Sequence, residues 1–262
     1  MLGGAAKGSF TRLDLDETTF EQYYQPLRDL IREKGLDGLD LDVEEPMTLA
    51  GIVRLIDRLK DDFGDRFIIT LAPVAAALMS ERPEHNLSGF SYEYLEVMRG
   101  RKIAWYNTQF YCGWGDLSNT GGFDFIVQRG FPADKLVIGM VTNPGNGSGW
   151  VEFEVLQEML VNLKLKHPGF GGVMGWEYFN SLPGDRARPW EWAQFMTRNV
   201  TNGLRSATTK PLSAIASSFP INQQNPFLMA DTTSSTNTTS KSEEDAPVPK
   251  AFEYHSDGTE ED

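Results

Sequence analysis

Asp40, Asp42 and Glu44 alternate with Leu39, Leu41 and Val43 in the octet that runs from Asp37 to Glu44. In an extended strand successive side chains point to opposite faces, so three carboxylates would share one face and three branched apolar side chains the other. Pro46 cannot continue a hydrogen-bonded ladder, which leaves Glu44 at the strand's C-terminal end. Like charges a few ångströms apart repel and raise one another's pKa, so the stack opposes folding. Acids gathered at such a cost suit proton transfer to and from a substrate. Two plainer readings fit less well. An acidic edge strand seldom carries a fully branched opposite face, and a calcium loop would hold its ligands on a glycine-containing turn. Asp37 has the opposite parity to Asp40, so a structural role at the strand's start is expected for it.

The elements that must position this strand alternate along the chain. Met1 to Gly4 reads as a strand end running into a Gly-Gly turn. Phe20, Tyr23, Tyr24, Leu27, Leu30 and Ile31 have helical spacing within 18–34, with Pro26 predicting a kink and Gly35 a stop. Leu49, Ile52, Val53, Ile56, Leu59 and Phe63 form the stripe of a second helix over 48–63. Short apolar runs at 67–72 and 136–141 read as buried strands, as do 103–111 and 171–176. Helices are predicted over 92–98, 124–129, 151–166 and 189–199, the last opened by Pro189. Six strands alternating with helices about every 30 residues imply a parallel sheet of strand-helix units. Polar residues collecting at strand C-terminal ends favour an α/β fold of the (β/α)8 TIM barrel type, which needs eight strands and about 250 residues. Two units are therefore expected to be missing at the N-terminus. Domain organisation is expected to be a partial barrel over 1–204, then a disordered tail over 205–262, Ser/Thr-rich and finally acidic.

The formal net charge of −13 argues against nucleic acid and anionic membranes as partners. Nine of the acids lie beyond Ser206, against only Lys210, Lys241 and Lys250, so the folded part is mildly acidic and suits a neutral glycan. No run of 18 apolar residues is present to span a membrane, and Met1 to Gly4 shows no signal peptide in this chain. Cys112 stands alone, and His85, His167 and His255 are far apart, so neither a disulfide nor a cysteine- or histidine-based metal site is expected. Asn86, Asn146, Asn199 and Asn237 begin N-glycosylation triplets, which matter only in the secretory pathway.

Asp37-x-x-Asp40-x-Asp42-x-Glu44 resembles the DxxDxDxE signature of the family 18 glycoside hydrolases, the chitinases and endo-β-N-acetylglucosaminidases. Gly3-Gly4 resembles the end of that family's SxGG strand, with Met1 where the serine often stands. Gln109-Phe110-Tyr111 looks like its sixth-strand motif, and Gly171 to Trp176 like its eighth. The four motifs occur in the family's order over about residues 1–200. Gly3 to Ala6, Trp105 to Tyr111 and Gly175 to Ser181 look most similar to secreted fungal endo-β-N-acetylglucosaminidases, which cut the chitobiose core of N-linked glycans.

The resemblance implies hydrolysis of the bond between two N-acetylglucosamine residues, with the substrate's own acetamide as nucleophile. Glu44 would be general acid and then base, and a buried carboxyl beside other acids has the raised pKa that role needs. Asp42 would orient the acetamide, Asp40 would share a proton with Asp42, and Tyr111 would hydrogen-bond the acetamide oxygen. Gln109 would bind the same sugar, Trp176 would floor it, and Gly3 and Gly4 would border it. Trp114 and Glu177 are further candidates for substrate contact. The resemblance implies no cofactor, a glycan as partner, a monomer and an extracellular location. Chitin is the alternative substrate. A non-catalytic sugar-binding relative commonly loses the acid, and Glu44 is retained. An inactive fragment is the remaining alternative: a barrel short of two strands has two unpaired edges, so poor stability and weak activity are expected of the chain as written.

Overall fold

The computed structural model describes residues 1–207. Six parallel strands form one sheet in chain order: β1 (Leu2–Gly3), β2 (Gly38–Asp42), β3 (Ile68–Leu71), β4 (Trp105–Gln109), β5 (Leu136–Val141) and β6 (Gly172–Trp176). Helices α1 (Phe10–Leu13) and α2 (Glu17–Lys34) join β1 to β2, and α3 (Leu49–Phe63) joins β2 to β3. Then come α4 (Ala75–Met79), α5 (Tyr92–Arg99), α6 (Gly121–Gln128), α7 (Phe153–Lys166) and α8 (Trp190–Ala207). This is the α/β plan of a (β/α)8 barrel with six of its strands. Among the described residues, β1 and β6 are the two edges of the arc.

Register sorts the side chains into two faces. Asp40 is paired with Thr70, Thr70 with Trp105, and Gln109 with Gly139, which is paired in turn with Met174. These residues share the inner face, because partners in a parallel pair point the same way. Leu39, Leu41, Ile69, Leu71, Tyr106 and Ile138 have the opposite parity and are buried in one cluster with Phe20, Ile52, Ile56, Leu95, Ile126 and Leu163 from the helices. Each fully buried residue of this kind contributes about 1.5–3 kcal/mol of transfer free energy. The core thus sits between sheet and helices, and it leaves the inner face for polar side chains.

Local signals set the helix ends. Asp16 caps α2 by accepting from the N–H groups of Thr18 and Thr19, and Gly35 closes it in the left-handed region at φ 59°. The helix runs on through Pro26. Thr48 caps α3 through the Gly51 N–H. α8 extends to Ala207, past both the expected end at 199 and the expected boundary at 204. The part of the expected tail from 208 to 262 lies outside the described residues.

Candidate active site

Strand β2 ends at Asp42, so Glu44 lies two residues past the ladder instead of within it. The strand places Asp40 and Asp42 on the inner face and delivers Glu44, half-buried, to the C-terminal rim. Asp42 is only 7% exposed. Its neighbours permit that burial. Gly3 and Gly4 both have φ near 96°, and a Cβ on Gly3 would come within 2.2 Å of the Asp42 carbonyl oxygen. The Gly4 N–H donates to that same oxygen at 2.9 Å. A Cβ on Gly4 would stand 3.6 Å from Asp42 Oδ2. The Gly-Gly turn therefore lets the backbone pass close beside the acid, as the open left-handed region allows for glycine.

Gln109 joins the acids. Its Nε2 lies 3.2 Å from Asp42 Oδ1, 3.2 Å from Glu44 Oε1 and 2.9 Å from the Ala72 carbonyl oxygen. A primary amide has two hydrogens for these three acceptors. The shortest contact, to fixed backbone, takes one, and the other is left between the two carboxylates. The Gln109 N–H also donates to the Pro73 carbonyl, so the residue is held at main chain and side chain alike.

Asp40 is held separately. It accepts from Thr70 Oγ1 at 2.5 Å and Asn107 Nδ2 at 3.2 Å, and Trp105 Nε1 donates to Asn107 Oδ1 at 3.1 Å. No hydrogen bond links Asp40 to Asp42; the two acids interact through charge. Burial, followed by the charges of Glu44 and Asp40, raises the Asp42 pKa to about 7. The raised proton affinity expected of the acid stack thus falls on its most buried member.

Tyr111 follows two residues after Gln109, past the end of β4, and is 8% exposed. Burial and then the charges of Asp42 and Glu44 push its hydroxyl pKa well above the ordinary value, so it stays protonated. Trp176 ends β6 at the same rim, paired with Val141 and 43% exposed. Its carbonyl accepts from the Thr142 N–H at 2.8 Å. Glu177 is half-buried, and its carbonyl accepts from Thr142 Oγ1 at 2.6 Å. Trp114 packs against the hydrophobic core, and its carbonyl accepts from the Ala76 N–H, so it is anchored in the loop after β4. Asp37 is exposed ahead of β2.

Three residues of this site are not among the candidates singled out from the sequence. Thr70, Trp105 and Asn107 share the inner face, and parity counted back from Gln109 would have found the last two. Glu45 is the other omission. It is buried against the loop after β1 and accepts from the N–H groups of Gly8 and Phe10 at 2.7 and 2.6 Å and from Thr11 Oγ1 at 3.2 Å. Burial alone would raise its pKa, but these hydrogen bonds outweigh it and lower the pKa. Asp14, at the C-terminal end of α1, likewise ties that helix to α3, accepting from Thr48 N and Oγ1 at 2.8 and 2.6 Å.

Chemically, the C-terminal rim of the sheet offers two carboxylates around one amide, one of them poised to exchange a proton near neutrality, with a protonated phenol and an exposed indole beside them. The structure is similar to that of a fungal endo-β-N-acetylglucosaminidase of glycosyl hydrolase family 18, with 53% identity and a TM-score of 0.72, covering 75% of this chain and 69% of that one. It is also similar to a chitinase from Aspergillus fumigatus, with 56% identity and a TM-score of 0.67 over 74% of this chain and 69% of the other. Among curated proteins, chitinase 2 of Rhizopus oligosporus is 28% identical over 150 residues, which are 54% of this chain. The chain spans 25% of that relative's length and 64% of a probable class II chitinase from Arthroderma benhamiae, which is 23% identical over 60% of this chain. No family model matches the chain. With more than half its aligned residues identical to two solved structures, and more than two thirds of each covered, the chain belongs to glycoside hydrolase family 18.

Proposed function

We propose that this site hydrolyses the β-1,4 bond between two N-acetylglucosamine residues, with the chitobiose core of an N-linked glycan as its substrate. The observation that carries the reading is the Gln109 amide lying 3.2 Å from both Asp42 and Glu44. Glu44, at the open rim, gives its proton to the glycosidic oxygen as the bond from that oxygen to C1 breaks. The acetamide carbonyl oxygen of the same sugar bonds to C1 and closes an oxazolinium ion. Water then attacks C1 and loses a proton to Glu44, which opens the ring and restores the starting configuration.

The other residues prepare that exchange. Asp42, ionised, holds the acetamide N–H and offsets the positive charge of the intermediate; a pKa of about 7 lets it shed its proton near neutrality. Asp40, anchored by Thr70 and Asn107, adds a second negative charge behind it. The protonated Tyr111 donates to the acetamide oxygen and aims it at C1. Gln109 keeps the two carboxylates apart beside the sugar, Trp176 stacks on its apolar face, and Gly3 and Gly4 leave room next to Asp42. Glu177 is assigned to sugar hydroxyls farther along the rim, and Trp114 to packing of the loop below them. No metal or organic cofactor enters these steps. The resemblance further supports a monomer acting outside the cell.

Cleavage of chitin oligomers is the second reading, supported by the A. fumigatus chitinase at 56% identity. Both substrates present the same sugar to the acids. Incubation with a high-mannose glycoprotein and, separately, with chitin oligomers tests the proposal. Release of a glycan that leaves one N-acetylglucosamine on the protein supports the first reading, and cleavage of chitin oligomers alone selects the second. The Glu44→Gln variant should lose either activity by at least about 10²-fold.

A further inference from the structure

The turn after β5 reaches both aromatic residues assigned to the sugar. Asn146 Nδ2 lies 3.1 Å from the Trp176 carbonyl oxygen, 3.0 Å from Asn180 Oδ1 and 3.2 Å from Thr142 Oγ1. Asn180 Nδ2 returns a bond to Asn146 Oδ1 at 2.6 Å, so the two amides form a reciprocal pair. Asn143 Nδ2 donates to the Asn180 carbonyl at 3.0 Å. On the other side, the Ser148 carbonyl accepts from the Cys112 N–H at 2.9 Å, and a Cβ on Gly149 would stand 3.2 Å from the Tyr111 Cα. One short segment, 143–149, thus spans the rim from Tyr111 to Trp176.

We infer that Asn146 is a positioning residue, which sets Tyr111 and Trp176 in register for the N-acetylglucosamine ring by bracketing the rims of β4 and β6. The inference rests on the proposed function for the role of those two aromatics. The chemistry of the side chain makes it specific. Asn146 Nδ2 donates to a backbone carbonyl whose other partner is the Thr142 N–H, so a side chain of the same size without hydrogens cannot take its place. In an Asn146→Asp variant a carboxylate oxygen would face the Trp176 carbonyl, and the strand end would move away from it. An N-linked glycan at Asn146 would likewise take one of the two hydrogens the bracket uses.

The test uses the full 262-residue chain made in bacteria, where Asn146 carries no glycan, on a Glu44→Gln background so that sugar is bound and not cut. Affinity for tri-N-acetylchitotriose is measured for the parent, Asn146→Asp and Trp176→Ala. In parallel, trypsin cleavage after Arg186, exposed in the loop that follows Trp176, is timed without sugar. Loss of this half-buried donor is expected to weaken sugar binding about tenfold in Asn146→Asp, approaching the effect of Trp176→Ala. Cleavage after Arg186 should speed up several-fold while cleavage elsewhere keeps its rate. Binding within twofold of the parent in Asn146→Asp, with Trp176→Ala weakened, overturns the bracket and leaves the proposed function standing. Unchanged binding in Trp176→Ala removes the stacking role itself, and the bracket falls with it.

Discussion

Asp42→Asn should stabilise this protein at neutral and alkaline pH, although it removes a residue of the proposed site. The ordinary carboxyl of Asp42 titrates near 3.8, and the folded one near 7. Between those values the folded state binds more protons than the unfolded one, so stability falls as pH rises from about 4 to about 7 and stays lowered above that. A shift of roughly three units at about 1.4 kcal/mol each sets an upper limit of about 4 kcal/mol on the folded state's loss at pH 8. Relaxation and water entry reduce it, and about 2–4 kcal/mol is the working range. Asparagine keeps the size and leaves Oδ1 to accept from Gln109, but it carries no charge to desolvate or to repel Glu44 and Asp40. Thermal unfolding followed by circular dichroism at pH 4, 6 and 8 is the assay. The variant should gain roughly 5–15 °C over the parent at pH 8 and almost nothing at pH 4, where Asp42 of the parent is already neutral. A variant no more stable than the parent at pH 8, or one with the same gain at pH 4 and pH 8, would refute the claim that burial and the neighbouring acids raise this pKa.

Two further substitutions probe the supports of the site. Glu45→Gln should destabilise by about 1–3 kcal/mol at pH 7, because the carboxylate holds the N–H groups of Gly8 and Phe10. Its folded pKa is lowered, so the contribution is present above about 4.5 and fades as pH falls below it, opposite in sign to Asp42; melting curves of parent and variant should differ at pH 7 and converge at pH 3. Gln109→Leu strips the donor from Asp42, Glu44 and the Ala72 carbonyl, and should cost about 1–3 kcal/mol of stability. Its rate profile should also lose activity on the acid side first, since Asp42 without that hydrogen bond holds its proton to higher pH.

Strands β2, β3 and β5 were legible in the sequence because the first is a strict alternation stopped by Pro46 and the other two are short apolar runs. The acid stack was legible for the same reason: parity alone assigns Asp40 and Asp42 to the inner face. Short helices were harder to read. α1, with four residues, and α4, with five, are too brief for a helical period to register. What no periodicity reveals is the set of contacts made across the chain. Glu45 looks like a neighbour of Glu44, yet it serves a loop 34 to 37 residues away. Asp40 looks like Asp42's partner, yet Thr70 and Asn107 hold it. Register decides such pairings, and register depends on how strands from distant parts of the chain align.

The most direct test of the account compares two oligosaccharides that differ only in the acetamide of the sugar bound beside Asp42, one N-acetylated and one bearing the free amine. If the substrate's own carbonyl oxygen attacks C1, the acetylated compound is cut with its anomeric configuration kept, and the amine is cut at least about 10³-fold more slowly. Comparable rates for the two compounds, or inversion at C1 in the first product formed, would contradict it.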